Sequence, residues 1–390
     1  MNARLDIGGR VMAAFALHAT TVGSVFARLP EIQKALALPE ATFGLVLMGM
    51  PAGVVLGSIL ISPVVETWGP KRLIMLGTPL IAAVSMLTTA AWSAVTLCMA
   101  LFAFGLAFAT SNVALNVEAD RVEAAEDRRI MSRCHGWWAL GFLATALVSA
   151  GLIRVGVPPV AQFVAVTAML AALVPAFLVP LPESRARAGG ASSRRRFALP
   201  GRGTLLIGGF ALAGVVLEGT TRSWSVIYVR DLFGAADWIA ALALPAIVVT
   251  QTVGRFAGDG LIERLGAATS GRLVAVALLA GLIVIVMAPV TGMVLAGFAL
   301  IGVGVSTVLP QAFSAAARWG DRPAAESMAA FATLSTVMGF LGPPVFGALA
   351  EWFGLRVAFA LFIPLPLISI AFAGYLGPRE GAEVVAQRVA

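Results

Sequence analysis

Glu218 and Arg222 are charged residues placed where charge is costly. They lie four positions apart inside an apolar stretch, residues 204–228, so a helix puts both on one face. A carboxyl group in this setting can take up and release a proton, and a guanidinium can bind an anionic or hydroxyl-rich molecule. The alternative is an internal ion pair that allows both side chains to be buried. We favour the first interpretation because ionisable groups in long apolar helices are commonly functional.

Other polar residues in apolar stretches have two interpretations each. An unperturbed histidine side chain changes charge near neutrality, which makes His18 a candidate for proton handling or solute contact, but a lone histidine in an apolar helix is often a hydrogen-bonded packing residue. Asn112 and Asn116 share a helix face, and their amides can bind a solute or join helices. Trp224 can stack against a sugar-like ring or simply pack.

A further set of charges recurs at the ends of two apolar stretches and predicts inter-helix charge locks of a gate. Glu118, also near the end of its stretch, is a gate residue or a partner for loop arginines. The other members are Glu66, Lys71 and Arg72 in the first half, and Arg255, Asp259, Glu263 and Arg264 in the second.

These residues are positioned by twelve apolar stretches that fill the chain. The composition is 59% hydrophobic and only 12% charged, and a helix crosses a bilayer with about 20 apolar residues. The sequence therefore predicts an all-α polytopic membrane protein with 12 transmembrane helices. The predicted spans are 10–28, 41–65, 72–91, 94–117, 132–153, 160–181, 204–228, 238–262, 272–289, 291–315, 327–350 and 357–377.

The distribution of Lys and Arg predicts the orientation. With both termini in the cytoplasm, 20 of the 27 basic residues fall on the cytoplasmic side and five, including Arg28, on the other; Arg222 and Arg255 lie inside spans. We therefore expect a multi-pass membrane protein with both termini cytoplasmic. The net charge of +7 lies in loops that face anionic lipid, so the lipid bilayer is the expected partner and nucleic acid is not.

The chain is predicted to have two halves. Residues 182–203 have the composition of a flexible basic linker between a six-helix bundle at 1–181 and a second bundle with a short cytoplasmic tail at 204–390. Short matches link the halves at a near-constant offset: Glu66–Gly69 matches Glu263–Gly266 at 197, and Gly141–Leu143 matches Gly339–Leu341 at 198. Such parallel repeats are typical of one large class of secondary transporters.

The chain resembles the major facilitator superfamily. The loop signature of that superfamily occurs in a degraded form at residues 62–72. Residues 254–266 are closer to the superfamily pattern. Other segments resemble the bacterial YbjJ-like permeases within that superfamily. They are Phe26-Ala-Arg-Leu-Pro-Glu-Ile, Asn116-Val-Glu, Met131-Ser-Arg-Cys-His-Gly-Trp, the segment from Glu218 to Asp231, and the segment from Gly342 to Arg356.

The resemblance implies a major facilitator fold of two six-helix bundles, with spans one, four, seven and ten lining a central cavity. It makes Glu218 and His18 the candidates for proton coupling. The implied substrate-binding candidates are Arg222, Asn112, Asn116, Trp224 and Gln311.

The function that follows is secondary active transport of a small polar solute, sugar-like, polyol-like or an organic acid, by proton-coupled alternating access. The drug/proton antiporter motif Gly-Pro-x-x-Gly-Gly does not occur in residues 132–153, which favours uptake over export. A non-transporting receptor or scaffold on the same fold is the other alternative. The sequence has no His-Glu-x-x-His, Gly-x-Ser-x-Gly or P-loop pattern, so we expect no enzyme, cofactor or metal site. We expect a monomer.

Overall fold

The computed structural model describes residues 6–126, 128, 130–182, 199–319 and 323–377, which form helices and their connections and no β-strand. The predicted linker residues 183–198 and tail residues 378–390 lie outside this described part. The helices are α1 Ile7–Ala35, α2 Glu40–Leu47, α3 Gly49–Trp68, α4 Pro70–Thr89, α5 Ala94–Glu126, α6 Met131–Arg154, α7 Pro159–Leu178, α8 Arg202–Phe233, α9 Asp237–Ala240, α10 Ala243–Leu265, α11 Ala267–Met287, α12 Thr291–Val305, α13 Val308–Arg318, α14 Ala324–Phe353, α15 Leu355–Ala360, α16 Pro364–Phe372, and a 3₁₀ turn at Ala373–Leu376.

Twelve helical segments of the described residues are long and apolar enough to cross a membrane, which confirms the predicted number of spans. Four of these segments are built from more than one helix, such as α12 and α13, which together form Thr291–Arg318. The helices run past the apolar stretches: α1 continues seven residues beyond the predicted end at residue 28, and α5 nine beyond residue 117. Polar residues end an apolar stretch without ending a helix, so hydropathy underestimates helix length.

The chain divides into two compact units. Unit 1 is Met1–Ala191 with Ala235–Pro245, and unit 2 is Ser192–Gly234 with Ala246–Ala390. The short segment Ala235–Pro245 thus belongs with unit 1, although the sequence boundary near residue 203 assigns it to the second half. Within unit 1, the guanidinium of Arg154 lies 4.9 Å above the Trp238 ring, which helps to hold that segment. The division at the linker itself stays a prediction.

Unit 1 depends on close backbone contact between α3 and α5. A Cβ atom at Gly53 would lie 2.1 Å from the Phe102 carbonyl oxygen, and one at Gly105 would lie 2.1 Å from the Met50 carbonyl oxygen. Neither position accepts a side chain without moving a helix. The Gly53-x-x-x-Gly57 spacing predicts such an approach, and the structure confirms it.

Unit 2 is arranged around α8, which packs against α14, α16, α13 and α12. The helix begins after Gly201 and ends at Gly234, whose left-handed conformation, with φ at 58°, stops it. Buried apolar residues that include Ile207, Phe210 and Phe331 form the core beside it. This packing holds the middle of α8, where Glu218 lies, among neighbouring helices.

The two halves share turns that only glycine adopts without strain. Gly69 ends α3 with φ at 81° and ψ at 143°, and Gly266 ends α10 with φ at 77° and ψ at 159°. Gly156 and Gly354, which are 198 residues apart, also have positive φ, 74° and 82°. Space does not explain these glycines, because a Cβ would meet no atom within 4 Å at any of the four. The positive φ explains them, because a residue with a Cβ atom is strained in that backbone conformation.

Candidate functional site

Glu218 is the centre of a hydrogen-bonded cluster in unit 2. Its carboxylate oxygen Oε1 accepts a hydrogen bond from Arg222 Nη2 at 2.8 Å and another from Gln251 Nε2 at 2.8 Å. Arg222 Nη2 also donates to Gln251 Oε1 at 3.3 Å. The structure therefore confirms that Glu218 and Arg222 share a helix face. It adds Gln251 of α10, a residue that the sequence did not single out.

Arg255 also lies in this cluster. It follows Gln251 by one turn of α10, and its Nη2 is 3.7 Å from Glu218 Oε1. The sequence groups Arg255 with the gate charges at the end of the span. Its proximity to Glu218 was missed because it depends on how α10 packs against α8, which sequence spacing within one helix does not show.

The cluster is only partly buried, although it lies midway along α8. The exposed fractions of the side chains are 16% for Glu218, 20% for Arg222 and 38% for Arg255. Charged atoms are not left facing hydrocarbon because the cost is several kcal/mol. Their exposed atoms therefore face water or a polar ligand.

His18 is fully buried in unit 1. Its Nδ1 accepts a hydrogen bond from the indole Nε1 of Trp138 at 3.2 Å, and its ring lies 4.8 Å from that of Phe108. Because Nδ1 is the acceptor, the neutral imidazole has its proton on Nε2. Nε2 has no hydrogen-bond partner among the described residues. Protonation of Nδ1 would break the Trp138 bond.

Asn112 and Asn116 lie half-buried on α5. The Asn116 amide Nδ2 donates to the Asn112 carbonyl oxygen of the same helix at 2.8 Å. In the described part of the chain neither side chain bonds another helix, so the interpretation of these residues as helix-joining groups gains no support. Their contact with a solute stays a prediction.

Trp224 and Gln311 are buried in unit 2. The Trp224 indole donates to the Pro343 carbonyl oxygen at 3.3 Å and packs against Phe346, so its ring is enclosed by protein in this conformation. Gln311 Nε2 donates to Thr307 Oγ1 at 2.8 Å. Solute contact by either residue stays a prediction that requires a different local arrangement.

The gate candidates of the first half are divided between two sets of contacts. Arg121 Nη2 donates to Glu66 Oε2 at 2.8 Å and joins α5 to α3. Lys71 Nζ donates to the carbonyl oxygens of Val179, at 3.0 Å, and Leu181. Lys71 therefore satisfies main-chain groups at the end of α7.

The other gate candidates have different surroundings. Glu118 is fully buried in α5, and Arg72 borders a shallow surface pocket beside Trp68. Asp259, Glu263 and Arg264 are exposed and form no ion pair with one another in the part of the chain that is described. Their role as a charge lock therefore stays a prediction.

Arg28 is the residue whose environment differs most from the sequence expectation. The sequence places it at the outer end of span one and counts it with the basic residues on the non-cytoplasmic side, but it lies inside α1 and is fully buried. Its Nε donates to Gln162 Oε1 at 2.7 Å, and its Nη1 donates to Glu31 Oε1 at 2.8 Å. The sequence after residue 28 is polar and contains Pro30, and both features predict the end of a helix. In the structure α1 continues through Pro30 to Ala35.

Comparison with known proteins decides the family. The model of the major facilitator superfamily matches residues 11–343. The chain belongs to this superfamily. This facilitator chain is 30% identical over 350 residues to the "Uncharacterized transporter y4wD" of Sinorhizobium fredii, a match that covers 90% of the chain and 92% of the relative. The chain is a transporter of the major facilitator type.

Solved structures show the same fold. The nucleoside transporter NupG has a TM-score of 0.75 at 15% identity, over 96% of the facilitator chain and all of the NupG chain. A D-xylose-proton symporter has a TM-score of 0.73 at 13% identity, over 96% and 98% of the two chains. At these identities the likeness shows the fold alone.

Proposed function

We propose that the protein is a secondary active transporter that takes up a small polar solute together with protons across the bacterial inner membrane by alternating access. The observation that supports this most is the cluster of Glu218, Arg222 and Gln251 midway along a membrane-spanning helix. We also place the chain in the YbjJ-like branch of the superfamily on the motifs quoted above.

Proton coupling requires an acid whose partners change when it is protonated. Ionised Glu218 accepts hydrogen bonds from Arg222 and Gln251, and protonation removes the charge that attracts Arg222. The partial exposure of the carboxylate gives a proton access to it. A D-xylose-proton symporter shares the fold, so this architecture is compatible with proton symport.

His18 is the second candidate for proton handling. Its imidazole is buried, and its Nδ1 accepts a hydrogen bond from Trp138. This bond is lost when Nδ1 is protonated. Arg222, with Asn112 and Asn116, remains the candidate for solute contact.

The test is transport in liposomes that contain the purified protein. A thermal-shift screen of sugars, polyols and organic acids first supplies a solute, since binding to the folded state raises the melting temperature. An inward proton gradient should then drive accumulation of that solute by the wild type. Glu218→Gln keeps the shape but does not titrate, so it should abolish accumulation while solute exchange and binding persist.

The exposed acid Glu351, replaced by Gln, is the matched control and should accumulate solute like the wild type. If Glu218→Gln still concentrates solute, Glu218 is only the structural partner of Arg222, and His18 becomes the proton site. Accumulation driven by an outward gradient would indicate an exporter. A solute that stabilises the protein but does not cross the membrane would indicate a receptor or scaffold.

A further inference from the structure

Trp138 is a half-buried tryptophan of α6 whose ring is fixed in position from inside unit 1. Its indole Nε1 donates to Nδ1 of the fully buried His18 at 3.2 Å, and the His18 ring lies 4.8 Å from that of Phe108 on α5. Phe142, one turn further along α6, packs against the Trp138 ring at 5.7 Å. Residues of three helices thus hold one aromatic ring whose surface remains partly accessible.

The accessible part of Trp138 lies apart from the apolar outer side of α6. That side has large exposed residues, which suit contact with lipid: Trp137, Leu140, Leu147 and Val148. Successive residues of a helix point about 100° apart, and Trp138 instead shares a face with Gly141 and the buried Thr145. A Cβ at Gly141 would lie 2.2 Å from the Ala16 carbonyl oxygen, so this face is the one that meets α1.

Uncharged polar groups of α5 lie next to this ring. Asn112 follows Phe108 by one turn and Asn116 follows by two, so the contact of Phe108 with His18 connects the two amides to Trp138. Both amides are half-buried at membrane depth, and their exposed atoms face water or a polar ligand because hydrocarbon does not satisfy them. An amide has both donors and an acceptor, so it matches a hydroxyl group, which also donates and accepts.

Resting on the proposed transport of a small polar solute, we propose that the solute is a cyclic sugar whose ring lies on the indole of Trp138. Its hydroxyl groups bond the amides of Asn112 and Asn116. The C–H groups on one face of a pyranose ring form an apolar surface with a slight positive charge, which suits the negative face of an aromatic ring. An acyclic polyol has the same hydroxyl groups but no rigid face, and it loses more conformational freedom on binding.

His18 is a positioning residue in this arrangement. By accepting the indole N–H it fixes the orientation of the Trp138 ring and satisfies the polar edge of that ring, so that only the apolar face is offered to the sugar. Trp224, the other tryptophan considered for stacking, is fully buried in unit 2. The position of Trp138 therefore suits a stacking role better than that of Trp224.

The first test compares cyclic sugars with their reduced, acyclic forms in liposomes that have an inward proton gradient. The pairs are D-glucose with D-sorbitol, D-galactose with galactitol, D-mannose with D-mannitol and D-xylose with xylitol, and L-lactate and D-gluconate represent the organic acids. At least one sugar should accumulate, with a half-saturating concentration about tenfold below that of its polyol.

The outcomes separate the two proposals. If a polyol or an organic acid accumulates and no sugar does, or if each transported sugar is bound no better than its polyol, the cyclic-sugar proposal is wrong and proton-coupled transport stands. If no solute accumulates, both proposals are wrong.

The second test changes the tryptophans of α6. In exchange of the transported sugar without a proton gradient, Trp138→Leu should raise the half-saturating concentration by about tenfold. Trp138→Phe, which keeps an aromatic face, should raise it less. The matched control is Trp137→Leu, which changes the neighbouring exposed tryptophan and should leave it unchanged. The change in tryptophan emission on sugar binding should be lost in Trp138→Phe and kept in Trp137→Phe.

The third test concerns His18 and uses the same exchange assay, in which a loss of proton coupling has no effect. His18→Leu should weaken sugar binding about as much as Trp138→Leu, whereas His18→Asn should restore most of it because its Oδ1 accepts the indole bond. Melting temperatures verify folding, and the emission of Trp138→Phe decides if the Leu variants unfold. An unchanged half-saturating concentration in folded Trp138→Leu, or an unchanged emission response in Trp138→Phe, would overturn the proposal.

Discussion

Arg28 illustrates how one buried cation organises the side chains around it. Its guanidinium is bonded to Gln162 and Glu31, and Gln162 Nε2 in turn donates to Ser149 Oγ at 2.6 Å and Ser24 Oγ at 3.2 Å. Two residues, Gln162 of α7 and Glu31 of α1, thus bond the charge, and Ser149 of α6 and Ser24 of α1 hold Gln162 in place. A buried polar group left without its partner costs more than the bond itself contributes, so each member supports the next.

Gln162→Leu should lower the free energy of unfolding by about 2–3 kcal/mol, because it removes a hydrogen bond to a charged group and leaves the guanidinium with one partner fewer. Thr167→Val in the same helix is the control, since the Thr167 hydroxyl donates only to the Phe163 carbonyl oxygen one turn away. Unfolding in mixed detergent micelles measures both. The double variant Arg28→Met with Gln162→Leu should be more stable than Gln162→Leu alone. A double variant that is less stable would show that the buried charge is not the source of the loss.

The sequence predicted only part of this residue-level arrangement. The Glu218–Arg222 pair was predictable because i and i+4 residues meet on any helix. The contacts of Arg255 with Glu218 and of Arg28 with Gln162 were not, because each joins two helices whose rotation about their axes depends on packing throughout the unit. For the same reason the sequence did not show that Trp224 is enclosed.

At the scale of elements, the carboxyl end of α7 is held by cations from two other helices. Arg10 of α1 donates to the Phe177 carbonyl oxygen at 3.1 Å, and Lys71 of α4 donates to those of Val179 and Leu181. The last carbonyls of a helix have no partner within it and carry partial negative charge, so cations stabilise this end. The predicted gate residue Lys71 therefore also fixes the position of a helix.

The amino end of α1 should respond to pH. Asp6 caps this helix by accepting a hydrogen bond from the Gly9 amide at 2.7 Å, and this bond, with a smaller contribution from Arg128, lowers the pKa of Asp6. Because the folded pKa is below the unfolded value of 3.8, the contribution of Asp6 is complete above that value. It is lost as the pH falls through the lower, folded pKa.

Hydrogen exchange of the first turn of α1 measures this. Near neutral pH, Asp6→Ala should exchange about fivefold faster than the wild type, while Asp6→Asn, which caps without titrating, should match it. As the pH is lowered below 3.8, exchange in the wild type should approach that in Asp6→Ala, because the carboxylate loses its charge. Exchange in Asp6→Asn should keep the same ratio to that in Asp6→Ala at every pH. If the wild type follows Asp6→Asn throughout, the ionised carboxylate is not what protects this turn.

Element boundaries were the weaker part of the fold prediction. The number of spans follows from hydropathy, which the bilayer imposes directly. The ends of α1 and α5 do not follow from hydropathy, because the polar residues that end each apolar stretch support a helix equally well. The short interruptions between α2 and α3, and between α12 and α13, interrupt the helix without interrupting the apolar sequence.

At the scale of the whole molecule, the orientation in the membrane is the main expectation still to be tested. A reporter fused after Arg196 or Arg388 should report the cytoplasm, and one inserted at residues 36–39, between α1 and α2, should report the periplasm. The excess of Lys and Arg on one side is the reason. Alkaline phosphatase is active in the periplasm and green fluorescent protein fluoresces in the cytoplasm. Fusing each of them at every site gives two independent measurements of its location. A periplasmic signal after Arg196 would contradict both the span count and the orientation.

The paired glycine turns also bear on the history of the chain. Gly69 and Gly266 are 197 residues apart, each with a glutamate three positions before it, and Gly156 and Gly354 are 198 apart. Duplication of an ancestral six-helix gene would produce both pairs. After it, the side chains of the two copies were free to diverge, whereas a residue with a Cβ at these turns would strain the backbone. The record of the duplication is therefore preserved most clearly at positions that have no side chain.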